Sequence, residues 1–147
     1  YMKEISKITG RNYDLFDYYG AEDATDIIVA MGSVTETTKE VIDYLTAQGK
    51  KVGMVAVHLY RPFSTEHLMK ALPATTKRIA VLDRTKEPGS LGEPLYLDIR
   101  SSIGEALEAG KAPFKEWPVI VGGRYGLGSK DTTPAQILAV YKNLEMK

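Results

Sequence analysis

Four short apolar segments recur along the 147-residue chain, at residues 27–31, 52–59, 79–82 and 119–121. Residues 27–31 (Ile-Ile-Val-Ala-Met) contain no polar side chain. A strand that alternates apolar and polar residues has one face in water, whereas a continuously apolar strand must be covered on both faces. Parallel strands with helices packed on both sides meet that requirement. The segments therefore predict a parallel sheet at the centre of the fold.

The stretches between these strands carry the start and stop signals of helices. Ser33 and Glu36 are spaced as a capping box, in which both side chains bond backbone amides at the helix start, and Gly49 ends that helix. Comparable signals mark the other predicted helices: Ser64 and Pro73, Pro94 and Gly110, and Thr133, Pro134 and Gln136. Strand and helix therefore alternate along the chain.

An edge strand is predicted ahead of this alternation, because residues 15–19 are aromatic but interrupted by Asp17. Apolar residues at helical spacing come earlier still: Met2, Ile5 and Ile8. Residues 1–12 are therefore predicted to be a short helix or a linker. With right-handed crossovers, the five strands and their helices form a three-layer α/β/α sandwich. The length suits one domain, residues 1–147.

The composition excludes several classes of function. Nineteen basic and nineteen acidic side chains balance, so the chain has no basic field for nucleic-acid phosphates and no nucleic-acid partner is expected. Cysteine is absent, which excludes disulfides, thiolate nucleophiles and cysteine-ligated iron–sulfur clusters. No apolar run approaches the roughly 20 residues that span a bilayer, and no signal peptide opens the sequence, so we expect a cytoplasmic protein and no membrane partner. The first residue, Tyr1, favours a segment of a longer polypeptide.

A charged loop follows the third apolar strand, in residues 83–92. It begins with Asp83 and Arg84, continues with Lys86 and Glu87, and contains two glycines. Open α/β sheets place ligands and contacts at the carboxyl ends of their strands, so this edge is where a site is expected. Asp83 and Arg84 are a candidate catalytic pair, but an acid at a strand end more commonly accepts amide hydrogen bonds from its own loop. We therefore predict a structural role for both.

Two loops resemble nucleotide sites without matching them. Residues 126–130 (Gly-Leu-Gly-Ser-Lys) place a serine where a phosphate loop has lysine directly after its last glycine, and they follow the last strand rather than the first. Residues 33–38 are hydroxyl-rich like the phosphate loop of flavodoxins, but Glu36 puts a carboxylate where flavin phosphate would approach a helix start. A structural turn and a helix start are the preferred interpretations, with a free-standing flavodoxin-like binding module as an alternative.

The two histidines, His58 and His67, are weak candidates for chemistry. Neither has a carboxylate or a second histidine at the sequence spacing of a metal site. A histidine without an orienting partner is a poor general base, so packing or surface roles are predicted. The sequence thus offers no catalytic, cofactor-binding or metal-binding residue.

Five segments carry a family resemblance along the whole chain: residues 12–18 (Asn-Tyr-Asp-Leu-Phe-Asp-Tyr), 31–37 (Met-Gly-Ser-Val-Thr-Glu-Thr), 59–64 (Leu-Tyr-Arg-Pro-Phe-Ser), 83–89 (Asp-Arg-Thr-Lys-Glu-Pro-Gly) and 123–127 (Gly-Arg-Tyr-Gly-Leu). In this order they resemble the pyruvate:ferredoxin (flavodoxin) oxidoreductases, in the domain that is similar to the carboxy-terminal domain of transketolase. The resemblance implies a five-stranded, mostly parallel sheet whose first strand is antiparallel.

The resemblance also implies a parent enzyme that oxidatively decarboxylates pyruvate to acetyl-CoA. Such enzymes use thiamine diphosphate, magnesium and 4Fe-4S clusters, work as homodimers, and pass electrons to ferredoxin or flavodoxin. In the family the cofactor-binding motifs lie in other domains, so none of these groups is expected to bind this segment. The matching domain of a related 2-oxoacid oxidoreductase or of a transketolase is an alternative.

A non-catalytic, structural role therefore follows from the resemblance. The segment would contact other domains of the same polypeptide through the loops at its strand ends. The candidate interdomain contact residues are the charged side chains of those loops: Arg84, Lys86, Glu87, Arg61 and Arg124. The isolated segment is expected to be inactive.

Overall fold

A computed structural model describes residues 1–147 and contains one five-stranded sheet with helices on both faces. The strands are β1 (Phe16–Gly20), β2 (Asp26–Met31), β3 (Val52–Val57), β4 (Arg78–Asp83) and β5 (Val119–Arg124). The helices are α1 (Met2–Thr9), α2 (Val34–Thr46), α3 (Thr65–Ala71), α4 (Pro94–Glu108) and α5 (Pro134–Glu145), and a 3-10 turn covers Leu127–Ser129. None of these helices is both long and apolar enough to cross a membrane.

The strand order is β1-β3-β2-β4-β5, with β2 in the centre. β1 pairs with β3 in antiparallel orientation, and the pairs β2–β3, β2–β4 and β4–β5 are parallel. The chain therefore leaves β2 toward one side of the sheet, crosses back, and continues toward the other side from β4. These features confirm the predicted three-layer sandwich with its antiparallel first strand.

The two faces of the central strand explain why its sequence is continuously apolar. Ile27 and Val29 belong to the core on the face covered by α3 and α4. Ile28 and Ala30 belong to the second core, on the face covered by α2 and α5. Successive side chains of a strand point to opposite faces, so residues 27–31, which are covered on both faces, are all apolar, and the one charged residue of β2, Asp26 at its start, is paired with Arg78.

The predicted capping box at the start of α2 is wrong. Ser33 has helical backbone angles (φ −61°, ψ −23°) and its side chain bonds no amide, while the Glu36 carboxylate pairs with Lys39 Nζ at 2.8 Å. A capping side chain needs an extended backbone at the cap position. Here Gly32, at φ +78°, turns the chain sharply before Ser33, so Ser33 already lies within the helical turn. The Thr35 hydroxyl instead donates to the Gly32 carbonyl at 2.8 Å.

The start of α5 has the complete capping box that the sequence predicted. Thr133 is extended (φ −94°, ψ 156°), its hydroxyl accepts from the Gln136 amide, and the Gln136 side chain accepts from the Thr133 amide at 2.9 Å. Pro134 occupies the first turn. Ser64 likewise caps α3 by accepting from the His67 amide.

Thr133→Ala is expected to lower the free energy of unfolding by about 1 kcal/mol, because the first-turn amides of α5 lose their acceptor. Ser33→Ala is the matched control and is expected to change it by less than about 0.5 kcal/mol, since the Ser33 side chain caps nothing. Urea denaturation of the three proteins measures both values. Equal losses in the two variants would show that the capping geometry at Thr133 does not stabilise the fold.

The last strand is longer than predicted, and the difference lies in two glycines. The apolar segment predicted as the last strand ends at residue 121, whereas β5 continues through Gly122 and Gly123 to Arg124. A side chain at position 122 would lie 3.1 Å from the Tyr96 ring, and one at position 123 would lie 2.8 Å from a Leu82 methyl group. Glycine is therefore required at these two positions by close packing and not by a turn. β3, in contrast, ends at Val57, two residues before the predicted limit.

The first residues form a short helix, which is one of the two alternatives, helix or linker, that the sequence predicted. α1 ends at Gly10, which has φ +70°, and none of its residues is buried. Ile5 and Ile8 are both exposed. The apolar stripe of α1 consequently has no partner among residues 1–147.

Candidate functional site

A cleft of about 220 Å³ lies at the carboxyl ends of the central strands. It is lined by Met31, Tyr60, Leu82, Asp83, Arg84, Thr85, Pro94 and Tyr125. The chain leaves β2 and β4 toward opposite sides of the sheet here, which is the position where open α/β sheets bind their ligands. The Tyr125 hydroxyl donates to the Met31 carbonyl at 3.2 Å and so joins the end of β5 to the end of β2.

Larger hollows lie away from this edge. The largest, of about 740 Å³, runs between α3 and α4, and one of about 420 Å³ lies beside the edge strand β1. Both are open to solvent. The first is lined by α3, α4 and the segment after α4, and the second by the edge strands β1 and β3 with α2 and α3, so neither lies where the loops after the central strands converge. Size alone therefore does not identify the site, and the small cleft is the better candidate because several strand-end loops converge there.

Asp83 is a buried carboxylate that caps the helix after its own strand. It accepts hydrogen bonds from the Leu95 amide at 3.0 Å and the Tyr96 amide at 3.2 Å, at the start of α4. Burial raises the pKa of Asp83, the two amide bonds act in the opposite direction, and the charges of Glu93 and Asp98 add to the increase. This arrangement confirms the predicted role of Asp83 as an acceptor for its own loop.

Glu93, the residue before Pro94, closes the charged loop at its base. Its buried carboxylate accepts from the Glu87 amide at 2.7 Å and from the Arg124 guanidinium. Burial acts to raise the pKa of Glu93, but these two hydrogen bonds and the charges of Arg124 and Lys86 outweigh it, so the pKa lies below its ordinary value. Sequence reasoning missed Glu93, since nothing in the local pattern links it to an arginine 31 residues away.

Arg61, a predicted contact residue, also has partners within the chain. Its guanidinium lies 2.8 Å from Asp98 Oδ2 and stacks on the Tyr60 ring, with 3.9 Å between Cζ and the ring centroid. The Tyr60 hydroxyl donates to the same carboxylate oxygen at 2.7 Å. Burial, followed by this hydrogen bond, raises the pKa of Tyr60 to about 12. Asp98 was not singled out from the sequence, because it lies inside a helix without a motif.

The other three predicted contact residues have no ion-pair partner in the chain. Arg84, Lys86 and Glu87 are exposed, and no oppositely charged group lies within 4.0 Å of them. Arg84 lies against Gly126, where a side chain would come within 3.0 Å of Arg84 Nε. Of the five candidates, Arg61 and Arg124 are thus paired internally and three are not. Contact with other domains stays a prediction for all five.

The fold gives His58 an acidic neighbour that its sequence spacing does not show. His58 Nε2 lies 3.0 Å from Asp17 Oδ2, on the strand that pairs with β3 in antiparallel orientation. The two residues are 41 positions apart, so sequence spacing could not reveal the pair. His67 instead bonds the capping residue Ser64, with 2.7 Å between Nδ1 and Oγ. No three side chains of the metal-binding types come together anywhere in residues 1–147.

The two nucleotide-like loops use their backbone groups locally. The amides of Thr35 and Glu36 donate to the carbonyls of Gly32 and Ser33 at 3.1 and 3.2 Å, so they are not free to bind a phosphate. The loop at residues 126–130 forms a 3-10 turn and ends before the start of α5 at Pro134. A phosphate loop, in contrast, delivers its glycines to a helix N-terminus.

Comparison with known proteins identifies the domain family of this chain. Residues 24–137 match the family model described as pyruvate:ferredoxin oxidoreductase core domain II. The pyruvate-flavodoxin oxidoreductase of Enterobacter agglomerans is 56% identical over 145 residues, which cover 98% of this chain and 12% of that protein. The pyruvate:ferredoxin oxidoreductase of Moorella thermoacetica is 54% identical over 143 residues, which cover 97% and 12% respectively.

A solved structure shares the fold. The chain superimposes with a TM-score of 0.61 on the 2-oxoglutarate:ferredoxin oxidoreductase from Magnetococcus marinus, covering 96% of this chain and 21% of that one at 23% identity. The two curated relatives described above are much longer than this chain, which spans about one eighth of their length. The chain belongs to the pyruvate:ferredoxin oxidoreductase core domain II family, as the resemblance of its five sequence segments indicated.

Proposed function

We propose that this chain is a non-catalytic domain of an enzyme that oxidatively decarboxylates pyruvate to acetyl-CoA and passes the electrons to ferredoxin or flavodoxin. Residues 1–147 act as one unit that contacts other domains of the same polypeptide, within a cytoplasmic homodimer. The relatives that match 97–98% of the chain at more than 50% identity carry the names of pyruvate oxidoreductases, and these names support pyruvate as the substrate of the full-length enzyme.

The side chains present do not fit the cofactors that the family implies. A 4Fe-4S cluster is held by cysteine thiolates, and this chain has no cysteine. The carboxylates near the cleft, Asp83 and Glu93, are already bound by amides and by Arg124. The amides at the start of α4, which could have held a diphosphate, are used by Asp83. Thiamine diphosphate, magnesium and the clusters are therefore assigned to the remainder of the enzyme.

The observation that carries the structural role is the geometry of the charged loop. Glu93 holds the Glu87 amide and Asp83 holds the start of α4, so both ends of the loop are bound without using its outward charges. Arg84, Lys86 and Glu87 are left in a defined position with no partner in the chain. Charges that a fold positions but does not use are suited to pairing across a domain boundary.

The test is the double variant Arg84→Ala/Glu87→Ala. In the 147-residue chain it is expected to leave the melting temperature unchanged, because surface charges without partners contribute at most about 0.5 kcal/mol. In the full-length enzyme it is expected to weaken domain assembly by about 2 kcal/mol, the lower end of the cost of truncating a desolvated charge pair. Denaturation of the chain, and denaturation and turnover of the enzyme, give the two measurements.

The exposed pair Glu36 and Lys39 on α2 provides the matched control, since Glu36→Ala/Lys39→Ala also removes one charge of each sign. This control is expected to change neither the melting temperature of the 147-residue chain nor the assembly of the full-length enzyme. If the Arg84/Glu87 variant destabilises the chain itself and the loss in the enzyme only follows, the two residues stabilise their own loop and the proposed contact is wrong.

A further inference from the structure

β5 has one paired edge and one free edge. It lies at the end of the sheet and pairs only with β4. The Val119 amide donates to the Lys77 carbonyl at 2.9 Å and the Tyr125 amide to the Asp83 carbonyl at 3.2 Å. Successive residues of a strand direct their backbone groups to opposite edges. The amides of residues 119, 121, 123 and 125 therefore face β4, while those of residues 120, 122 and 124 face the free edge.

A row of side chains on α4 runs beside this free edge. Gly92, Tyr96, Arg100 and Gly104 follow one another at intervals of four residues, so they share one side of the helix and of the turn that leads into it. The Tyr96 ring lies against Gly92, and Trp117 packs on Gly104. The Arg100 guanidinium is held between the two rings, with 5.6 Å from Cζ to the Tyr96 centroid and 5.4 Å to that of Trp117.

Arg100 is a positioned cation without a counter-ion. Its one side-chain hydrogen bond runs from Nη1 to the Tyr96 hydroxyl at 3.2 Å, and no carboxylate lies within 4.0 Å. A guanidinium has five N–H donors, so most of them remain available. The Trp117 ring beside it is also uncovered, since Trp117 is 49% exposed.

The other face of the same edge is apolar as well. Val119 is exposed and Val121 is partly buried, and their side chains lie on the α5 side of the sheet, opposite Tyr96 and Trp117. Natural sheets usually protect a free edge with lysine, proline or a bulge. Within β5 the one charge is Arg124, and its guanidinium is bound by Glu93. The edge is therefore left open to another strand.

We infer that the β5 edge surface, formed by the free edge of β5 with Tyr96, Arg100 and Trp117, binds an extended segment from another part of the same polypeptide. That segment adds a sixth strand beside β5 and presents a carboxylate to Arg100. This inference rests on the proposed function, in which the domain is embedded in a larger enzyme.

Three observations favour this occupant. The free amides of β5 need backbone acceptors, which an added strand supplies, and exposed apolar side chains lie on both faces of it, as strand addition requires. Tryptophan, tyrosine and arginine are the residue types that dominate the energetics of protein interfaces. The unpaired Arg100 favours a segment that carries a carboxylate. The relatives are about eight times longer than this chain, so the rest of such a polypeptide could supply that segment. A small anion would satisfy Arg100 but leave the strand edge uncovered.

Hydrogen exchange of the full-length enzyme tests the inference in a peptide that covers residues 119–125. With the edge open, four of its seven amides are protected by β4 and three exchange as rapidly as loop amides. With the added strand, all seven are protected, the extra three by on the order of tenfold or more. Rapid exchange of the amides of residues 120, 122 and 124 in the assembled enzyme would overturn the inference.

Variants identify the side chains that hold the segment. Arg100→Gln and Trp117→Ala are each expected to release those three amides while the four that face β4 stay protected. Tyr44→Ala removes a comparably exposed aromatic residue from α2 and is expected to release none. Loss of protection at all seven amides in Trp117→Ala would show that this variant unfolds the strand. The Arg100→Gln variant would then be the test of the inference, because Arg100 is only partly buried and its replacement is not expected to unfold the domain. If Arg100→Gln releases none of the three, the assignment of Arg100 is wrong.

Three outcomes separate this inference from others. Protection of the three amides that appears only at high enzyme concentration would assign the edge to a second copy and overturn the inference. Free exchange at β5 combined with weaker assembly of the Arg84/Glu87 variant would overturn the inference and leave the proposed function standing. Protection of the three β5 amides, together with an Arg84/Glu87 variant that assembles like the wild type, would reject the proposed loop contact and support the binding of a strand at the β5 edge surface.

Discussion

Replacing Arg78 with alanine is expected to lower the free energy of unfolding by about 3–5 kcal/mol, because it leaves a buried carboxylate without its cation. Arg78 and Asp26 lie directly opposite each other in the parallel register of β4 and β2. The guanidinium makes two contacts, Nε to Oδ1 at 2.5 Å and Nη2 to Oδ2 at 2.9 Å. The Asp26 side chain is only 8% exposed, so water cannot replace the lost partner.

Two further variants show whether burial is the cause of this loss. Lys70→Ala breaks an ion pair with Glu66 in which both side chains are well exposed, and it is expected to leave the unfolding midpoint unchanged. The double variant Asp26→Leu/Arg78→Met removes both charges and is expected to recover most of the stability, since apolar residues of similar volume often replace a buried pair without loss.

Urea denaturation of the 147-residue chain measures these effects. The wild-type chain is expected to unfold in one cooperative transition, because its own helices cover both faces of the sheet. The Thr25 hydroxyl already donates to Asp26 Oδ2 at 3.0 Å. If Arg78→Ala is no more destabilising than Lys70→Ala, this hydrogen bond is sufficient for the Asp26 carboxylate and the expected loss is wrong.

The sequence predicts the strands well because their signal is local. Each central strand is covered by helices on both faces, so nearly all of its residues are apolar and the strand can be recognised within a window of about six residues. The capping box of α5 is predicted for the same reason, since Thr133 and Gln136 are three positions apart and both adopt the required geometry. Ser33 and Glu36 have the same spacing, and there the prediction fails because the preceding Gly32 turns the backbone.

The candidate site is less predictable because its contacts join distant residues. The Arg124–Glu93 pair spans 31 positions and the Arg61–Asp98 pair spans 37. Each pair exists only because the fold brings together residues that end or follow different strands of the sheet. Gly122 and Gly123 show the same limit: they suggest a turn in isolation, and they are strand residues because Tyr96 and Leu82 occupy the space of their side chains. The position of Asp83 at the end of β4 was predictable, whereas the partners of Glu93 were not.

Asp83→Ala is expected to lower the free energy of unfolding by about 3 kcal/mol, since it removes the acceptor for two amides at the start of α4. The amide of Leu95 is buried and would have no replacement from water. The junction between β4 and α4 also supports one end of the charged loop, so domain assembly in the full-length enzyme should weaken together with stability. Urea denaturation gives the first value, and turnover of the enzyme reports the second.

The pH dependence of this loss follows from the pKa of Asp83, which burial raises above its ordinary value of 3.8. The folded chain then binds the Asp83 proton more tightly than the unfolded chain, so stability from this group is greatest at low pH and falls as the pH rises through the raised pKa. The stability difference between wild type and Asp83→Asn, which cannot titrate, should therefore decrease from about pH 4 upward. Glu93 is present in both proteins and has the opposite shift, and its charge contributes to the raised pKa of Asp83, so the difference reports Asp83 together with its repulsion from Glu93. A difference that instead increases with pH would mean that the amides of Leu95 and Tyr96 stabilise the carboxylate more than burial opposes it.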